Sequence, residues 1–119
     1  MEDSILKSIK KLLGIEEDDM SFDTDIIIHI NSAFSRLRRL GVGPEKSFSI
    51  RDDYPVWNDF IQDNDNIEDV KTYIYLKVKL LFDPPANSSV LSSMKETINQ
   101  LEWELNVEAE TPIINTEGE

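Results

Sequence analysis

Two consecutive prolines, Pro84 and Pro85, stand between two long stretches of helical periodicity and constrain this chain more than any other feature. The residue before a proline avoids the helical region, and consecutive prolines favour an extended backbone. Asp83-Pro84-Pro85 is therefore a rigid corner that no helix crosses. On its N-terminal side, the span from Ile67 to Phe82 has no internal breaker. Leu76-Lys77-Val78-Lys79-Leu80 alternates as a strand would, but Val70, Ile74, Val78 and Leu81 keep helical spacing. Asn66 can cap this span, Glu68 and Asp69 fall in its first turn, and Lys77 and Lys79 lie near its end. Length and end signals together favour a helix. Beyond the corner, Asn87 or Ser88 caps a last helix reaching about Asn106. Leu91, Met94, Ile98, Leu101 and Leu105 recur at alternating spacings of three and four, a short heptad seam. Trp103 lies well off that seam.

The N-terminal half reads in the same way. A first helix spans about Ser4 to Leu13, with Ile5, Leu6, Ile9, Leu12 and Leu13 on one face. Ser4 or Asp3 caps it, Gly14 sits at the C′ position, and Lys10 and Lys11 complement the dipole in its last turn. After the acidic loop Glu16-Glu17-Asp18-Asp19, Asp23 is placed as an N-cap. Phe22 and Ile27 are placed as a hydrophobic staple. The second helix runs from Thr24 to about Leu40 and buries Ile26, Ile27, Ile30, Ala33, Phe34, Leu37 and Leu40. Ile28 points away from that stripe. Gly41-Val42-Gly43-Pro44 signals a turn. Phe48 and Ile50 alternate with serines as a short extended piece. Asp53-Tyr54-Pro55 resembles a helix start with Pro at N1, leading into a short helix with Val56, Trp57, Phe60 and Ile61. Asp63-Asn64-Asp65-Asn66 forms a polar linker. The expected fold is mainly α: a compact bundle of four to five helices over residues 1–106, with a partly irregular middle segment and an extended acidic tail over 107–119.

At 119 residues the chain fits one domain. A net charge of −12 disfavours non-specific binding to nucleic acid and to anionic membrane surfaces. Cysteine is absent, which excludes a disulfide scaffold, a thiolate zinc site and a cysteine nucleophile. The acidic start and interrupted apolar run do not resemble a secretory signal, and no segment approaches the ~20 apolar residues of a membrane span. The expectation is a protein assembled inside a cell, with no membrane partner.

Few residues of this chain are suited to catalysis or ligand chemistry. His29 is the single histidine, so a zinc site or a Ser-His-acid arrangement has little to draw on. The four glycines form no phosphate loop. Asp63, Asp65 and Asp69 lack the remaining features of a calcium loop and read better as caps. No enzyme, metal or cofactor is expected. Arg36, Arg38 and Arg39 form the one notable basic cluster; they suit a phosphate or an acidic partner, or simply complement the helix dipole. Ile28 and Trp103, two large apolar side chains turned from their own helices' cores, point to an interaction surface.

These residues carry a resemblance. The run from Val70 to Val107, with its apolar-basic helix, the Phe82-Asp83-Pro84-Pro85 break, the Asn87-Ser88-Ser89 cap and the closing Leu101-Glu102-Trp103-Glu104-Leu105, resembles phage head–tail connector proteins. These are the small DNA-packaging adaptors of long-tailed phages of Gram-positive bacteria. Asp23-Thr24-Asp25-Ile26 with Ile30-Asn31, Leu40-Gly41-Val42-Gly43 and Trp57-Asn58-Asp59-Phe60 are similar to the family as well, while Glu104 departs from it where a basic residue is expected. The resemblance implies a structural virion protein at the head–tail interface. It implies a helical subunit of a homo-oligomeric, twelvefold ring under the portal protein. That ring joins the portal to the next head-completion or stopper protein, and DNA passes through its lumen without sequence-specific binding. The competing class is an acidic inhibitor or DNA mimic occupying a DNA-binding protein. Its carboxylates would have to line one face, whereas here they gather in loops and caps. In the connector reading, the tail docks on the portal with Ile113 and Ile114 as apolar anchors.

The corner yields a direct test. Replacing Pro84 and Pro85 together with glycine enlarges the unfolded ensemble and costs about 1–2 kcal/mol, from two sites at ~0.4–1 each. Thermal denaturation reads this loss, and unchanged melting and assembly would remove the corner's structural role.

Overall fold

The computed structural model describes residues 4–44, 46–60 and 66–110. Five helices follow one another: α1 Ile5–Leu13, α2 Asp23–Arg39, α3 Trp57–Phe60, α4 Ile67–Phe82 and α5 Ser88–Glu110. The fold is mainly α, as the periodicity predicts, and no strand occurs among the described residues. Ile61 and the linker residues Asp63, Asn64 and Asp65 lie outside the described residues, as do Ile113 and Ile114.

α4 occupies the middle of the bundle, packing against α1, α2 and α5. Its Val70, Tyr73, Ile74 and Val78 are fully buried. That resolves the strand-or-helix ambiguity, because only a helical period brings these four onto neighbouring faces. α2 contributes Ile26, Ile30, Ala33, Phe34 and Leu37, and α5 contributes Ile98, Leu101 and Leu105. α1 adds Ile5, Leu6 and Ile9, whereas Leu12, expected in the stripe, is 53% exposed. At about 3.6 residues per turn Leu12 lies roughly 120° around the helix from Leu6, at the edge of the buried stripe.

Caps were legible at some ends and not at others. The Ser4 hydroxyl accepts from Lys7 N at the start of α1, and Gly14 closes it at φ 82°. The Asn87 carboxamide oxygen accepts from Ser89 N and Val90 N at 2.8 and 3.1 Å, so it opens α5 as expected. α5 runs beyond its expected end at Asn106 as far as Glu110. Its Asn106 Nδ2 donates to Leu40 O at 3.0 Å, tying it to the end of α2.

Asp23 does not cap α2. The helix begins at Asp23 itself, with Phe22 at the cap position and no side-chain cap bond. The carboxylate is drawn instead to Lys10, whose Nζ lies 2.8 Å away and which is itself only 2% exposed. The contact is an ion pair rather than an aligned hydrogen bond, and no other donor reaches the buried Asp23 Oδ1. Lys10 Nζ also donates to Glu17 O at 3.1 Å. A lysine expected to serve the dipole thus folds the acidic loop back onto α1. Phe22, one position off the staple register, meets the ring of Phe82 edge-on at 5.4 Å.

The middle segment is irregular but well anchored. Asn31 on α2 brackets Ile50, donating from Nδ2 to its carbonyl at 2.9 Å and accepting its N–H on Oδ1 at 2.7 Å. One side chain supplies what a neighbouring strand would, so the extended piece needs no sheet. Phe34, Phe48 and Phe60 form a ring cluster with centroids 4.6–5.3 Å apart. Pro55 is not at N1: α3 starts at Trp57, and the Asp59 carboxylate accepts from Val56 N at 2.9 Å. The Pro55 carbonyl instead accepts from Ile5 N at 3.0 Å, which holds the segment against α1.

Gly43 lies under this cluster at φ 96°, and a Cβ there would come within 2.5 Å of the Phe60 ring. Gly43→Ala therefore combines backbone strain of roughly 1–3 kcal/mol with overpacking of roughly 1–3 kcal/mol. At Gly14, φ 82°, a Cβ meets nothing within 4 Å, so Gly14→Ala carries only the backbone cost. Chemical denaturation should rank Gly43→Ala as clearly the worse of the two; equal losses would show that the Phe60 ring yields freely.

Candidate functional site

In α2, the buried stripe turns Ile28 outward, where it is 58% exposed. Ser32, Ser35 and Arg39 are exposed beside it on the same face. In α5, burial of Ile98, Leu101 and Leu105 turns Trp103 outward, 63% exposed, with Val107 one turn further on. Both residues singled out as surface hydrophobes thus lie opposite their helices' cores. Isolated exposed apolar groups are ordinary, but a Trp this exposed leaves a large ring in water.

The three arginines separate. Arg36 turns toward α5 and pairs with Glu102, Nη2 to Oε1 at 3.1 Å. The other Glu102 oxygen accepts from the Tyr73 hydroxyl at 2.7 Å. One carboxylate therefore links α2, α4 and α5. Burial works to raise the Glu102 carboxyl, but the hydrogen bonds from Arg36 and Tyr73 and the charges of Arg36 and Lys77 outweigh it and leave the group below its ordinary value. Burial, reinforced by Glu102, drives the Tyr73 phenol far above its usual value. Arg38 and Arg39 remain on the exposed end of α2. The cluster read as one basic patch is thus divided between an internal link and the surface.

Sequence reasoning did not identify Glu102 or Tyr73 as linked. The available signal was positional: Glu102 borders the α5 seam, and Tyr73 sits three residues from Val70 in the α4 stripe. The corner residues have separate roles. Asp83 N donates to Lys79 O at 2.9 Å and closes α4, and the Asp83 carboxylate takes Lys79 Nζ at 3.0 Å. Pro84 is exposed and Pro85 half-buried. Leu81 and Val90 flank the corner, 53% and 51% exposed.

Beside α1 lies an open groove of about 780 Å³. Lys7 on its wall reaches Glu17 at 3.1 Å and Asp53 at 3.7 Å, and Tyr54 stands on its rim almost fully exposed. Its mixed charges select no single ligand class. Among the described residues, no group of three or more His, Asp or Glu side chains is arranged to hold a metal ion. No described helix is long and apolar enough to cross a membrane.

The chain matches the family described as phage connector protein over residues 5–112, nearly its whole length. No curated protein and no solved structure matches it.

The three-helix link has a pH signature. Glu102 is ionised more readily in the folded chain than in the unfolded one, so its contribution is complete above the ordinary glutamate range. The unfolded chain takes up the proton first as pH falls, and the contribution is lost on descending through the lower folded-state value. Glu102→Ala leaves the buried Tyr73 hydroxyl without its acceptor and costs about 1–3 kcal/mol at neutral pH. Urea denaturation from pH 7 to 3 should show the gap between variant and parent narrowing toward acid; a constant gap would mean that the carboxylate charge contributes nothing.

Proposed function

Since the chain belongs to the phage connector protein family, we propose that it is a non-enzymatic subunit of a ring at the head–tail interface of the virion. The ring is twelvefold, sits beneath the portal protein, joins it to the next head-completion or stopper protein and lets DNA through its lumen. The observation that carries this reading is the family match across residues 5–112. The geometry supports it. A ring needs two different patches per subunit, since head-to-tail contacts close only when each copy presents unlike surfaces to its two neighbours. Ile28 and Trp103 supply outward apolar residues on two different helices. Arg38 and Arg39 at the end of α2 suit an acidic partner surface. The net charge of −12 suits a wall that repels passing DNA and limits sticking.

The tail completes the proposal. Ile113 and Ile114 anchor it on the portal, with the glutamates around them guiding the encounter. Because α5 continues to Glu110, the informative truncation falls after that residue.

The test compares full-length and truncated chains for melting and for attachment to purified portal-bearing heads, with copies per particle counted by quantitative mass spectrometry. The full chain is expected at twelve copies per head, and the truncated chain is expected to melt within about 0.5 kcal/mol of it, as a change away from the core does, while losing head attachment. Undiminished attachment removes the tail from the docking role. One copy per head removes the ring.

A further inference from the structure

The outward faces of α2 and α5 share a spacing. On α2, Ile28, Ser32, Ser35 and Arg39 fall at i, i+4, i+7 and i+11, and all four are exposed. On α5, Glu96, Gln100, Trp103 and Val107 fall at the same intervals, and all four are exposed. Each row therefore runs about 16 Å along one side of its helix. Opposite each row lies the helix's own buried stripe, so both rows turn away from the core.

We propose that the α2 row of one copy seats antiparallel on the α5 row of the next copy in the ring. This rests on the ring reading above and adds its register. In the antiparallel sense, Ile28 meets Val107, Ser32 meets Trp103, Ser35 meets Gln100 and Arg39 meets Glu96. Apolar falls on apolar, opposite charges meet, and the largest side chain lies over a small one where backbones can approach closely. The parallel sense places Ile28 on Glu96 and Arg39 on Val107, which desolvates two charges without partners. The two faces are unlike, so the contact is head-to-tail and propagates around a ring instead of stopping at a dimer. Two copies of a chain carrying −12 repel each other over most approaches. A local Arg39–Glu96 match at the end of an apolar contact then selects one approach over the others. Trp103 is the anchor, since buried Trp residues carry a large share of interface energy.

The complete absence of cysteine makes this directly testable. The full chain carrying Ile28→Cys and Val107→Cys is assembled onto portal-bearing heads and oxidised with copper phenanthroline. A second chain carries Ile28→Cys and Glu96→Cys, which meet only in the parallel sense. All three exchanges are at exposed positions, and circular dichroism checks that the helices persist. The expected result is a ladder of covalent dimers, trimers and higher multimers from the first pair, and none from the second. A ladder from the second pair, or cross-linking to a different protein instead of to another copy, overturns the proposal. Counting copies per head separates its failure from that of the ring: many copies without a ladder refute this register alone, whereas a single copy refutes both. A charge reversal gives an independent readout. Arg39→Glu should abolish multimers on heads, and adding Glu96→Arg should restore them; no loss, or no restoration, counts against the contact.

Discussion

Burial of the α4 stripe organises the other helices of the bundle. Val70, Tyr73, Ile74 and Val78 leave water completely, and α1, α2 and α5 are arranged around them. At roughly 1.5–3 kcal/mol per fully buried side chain, this one stripe contributes on the order of 6–12 kcal/mol before conformational entropy is subtracted. Neither α1, with nine residues, nor α3, with four, is long enough to be stable by itself. Each persists because it docks beside that stripe or beside the helices that cover it. The Asp83-Pro84-Pro85 corner matters for the same reason: it turns α5 back so that Ile98, Leu101 and Leu105 can close the other side.

Charge is used sparingly inside this acidic chain. Lys10, nearly buried, holds Asp23 and the Glu17 carbonyl and so draws the acidic loop against α1. Glu102 ties Arg36 and Tyr73 together across three helices. Removing one partner from such a group leaves the other desolvated, which costs more than the pair contributes net. The remaining charges are mostly on the surface, where they shape encounter with other molecules more than they shape the fold.

That division gives the helix exteriors their significance. In the proposed ring, a subunit has to fold as a small bundle and still offer distinct surfaces to its neighbours. Here α2 and α5 each commit one side to the core and leave the opposite side with a large apolar residue, Ile28 or Trp103. The irregular middle segment is held by Asn31 and the Phe34-Phe48-Phe60 cluster instead of by a sheet, so no open strand edge is left among the described residues.

Spacing along the chain was enough to place the helices that have a long apolar period, the corner between α4 and α5, and the outward positions of Ile28 and Trp103. These follow from spacing along one helix, which is local geometry. The cap at Asn87 and the closure at Gly14 were legible for the same reason. Where Lys10, Asp23, Arg36, Tyr73 and Glu102 go depends on packing between elements far apart in the chain. Asp23 looked like a cap because its local context was that of a cap, yet Lys10 from α1 offered it a stronger, less hydrated partner. Arg36 looked like its neighbours Arg38 and Arg39, yet a carboxylate 66 residues away set it apart. Asn31 belongs to the family likeness beside Ile30, but its structural role was not legible, because its partner, the Ile50 backbone, exists as a site only once the loop is folded. A side chain's period is written in its neighbours along the chain, but its partner is chosen by which elements the buried core brings within about 3 Å, the reach of a hydrogen bond.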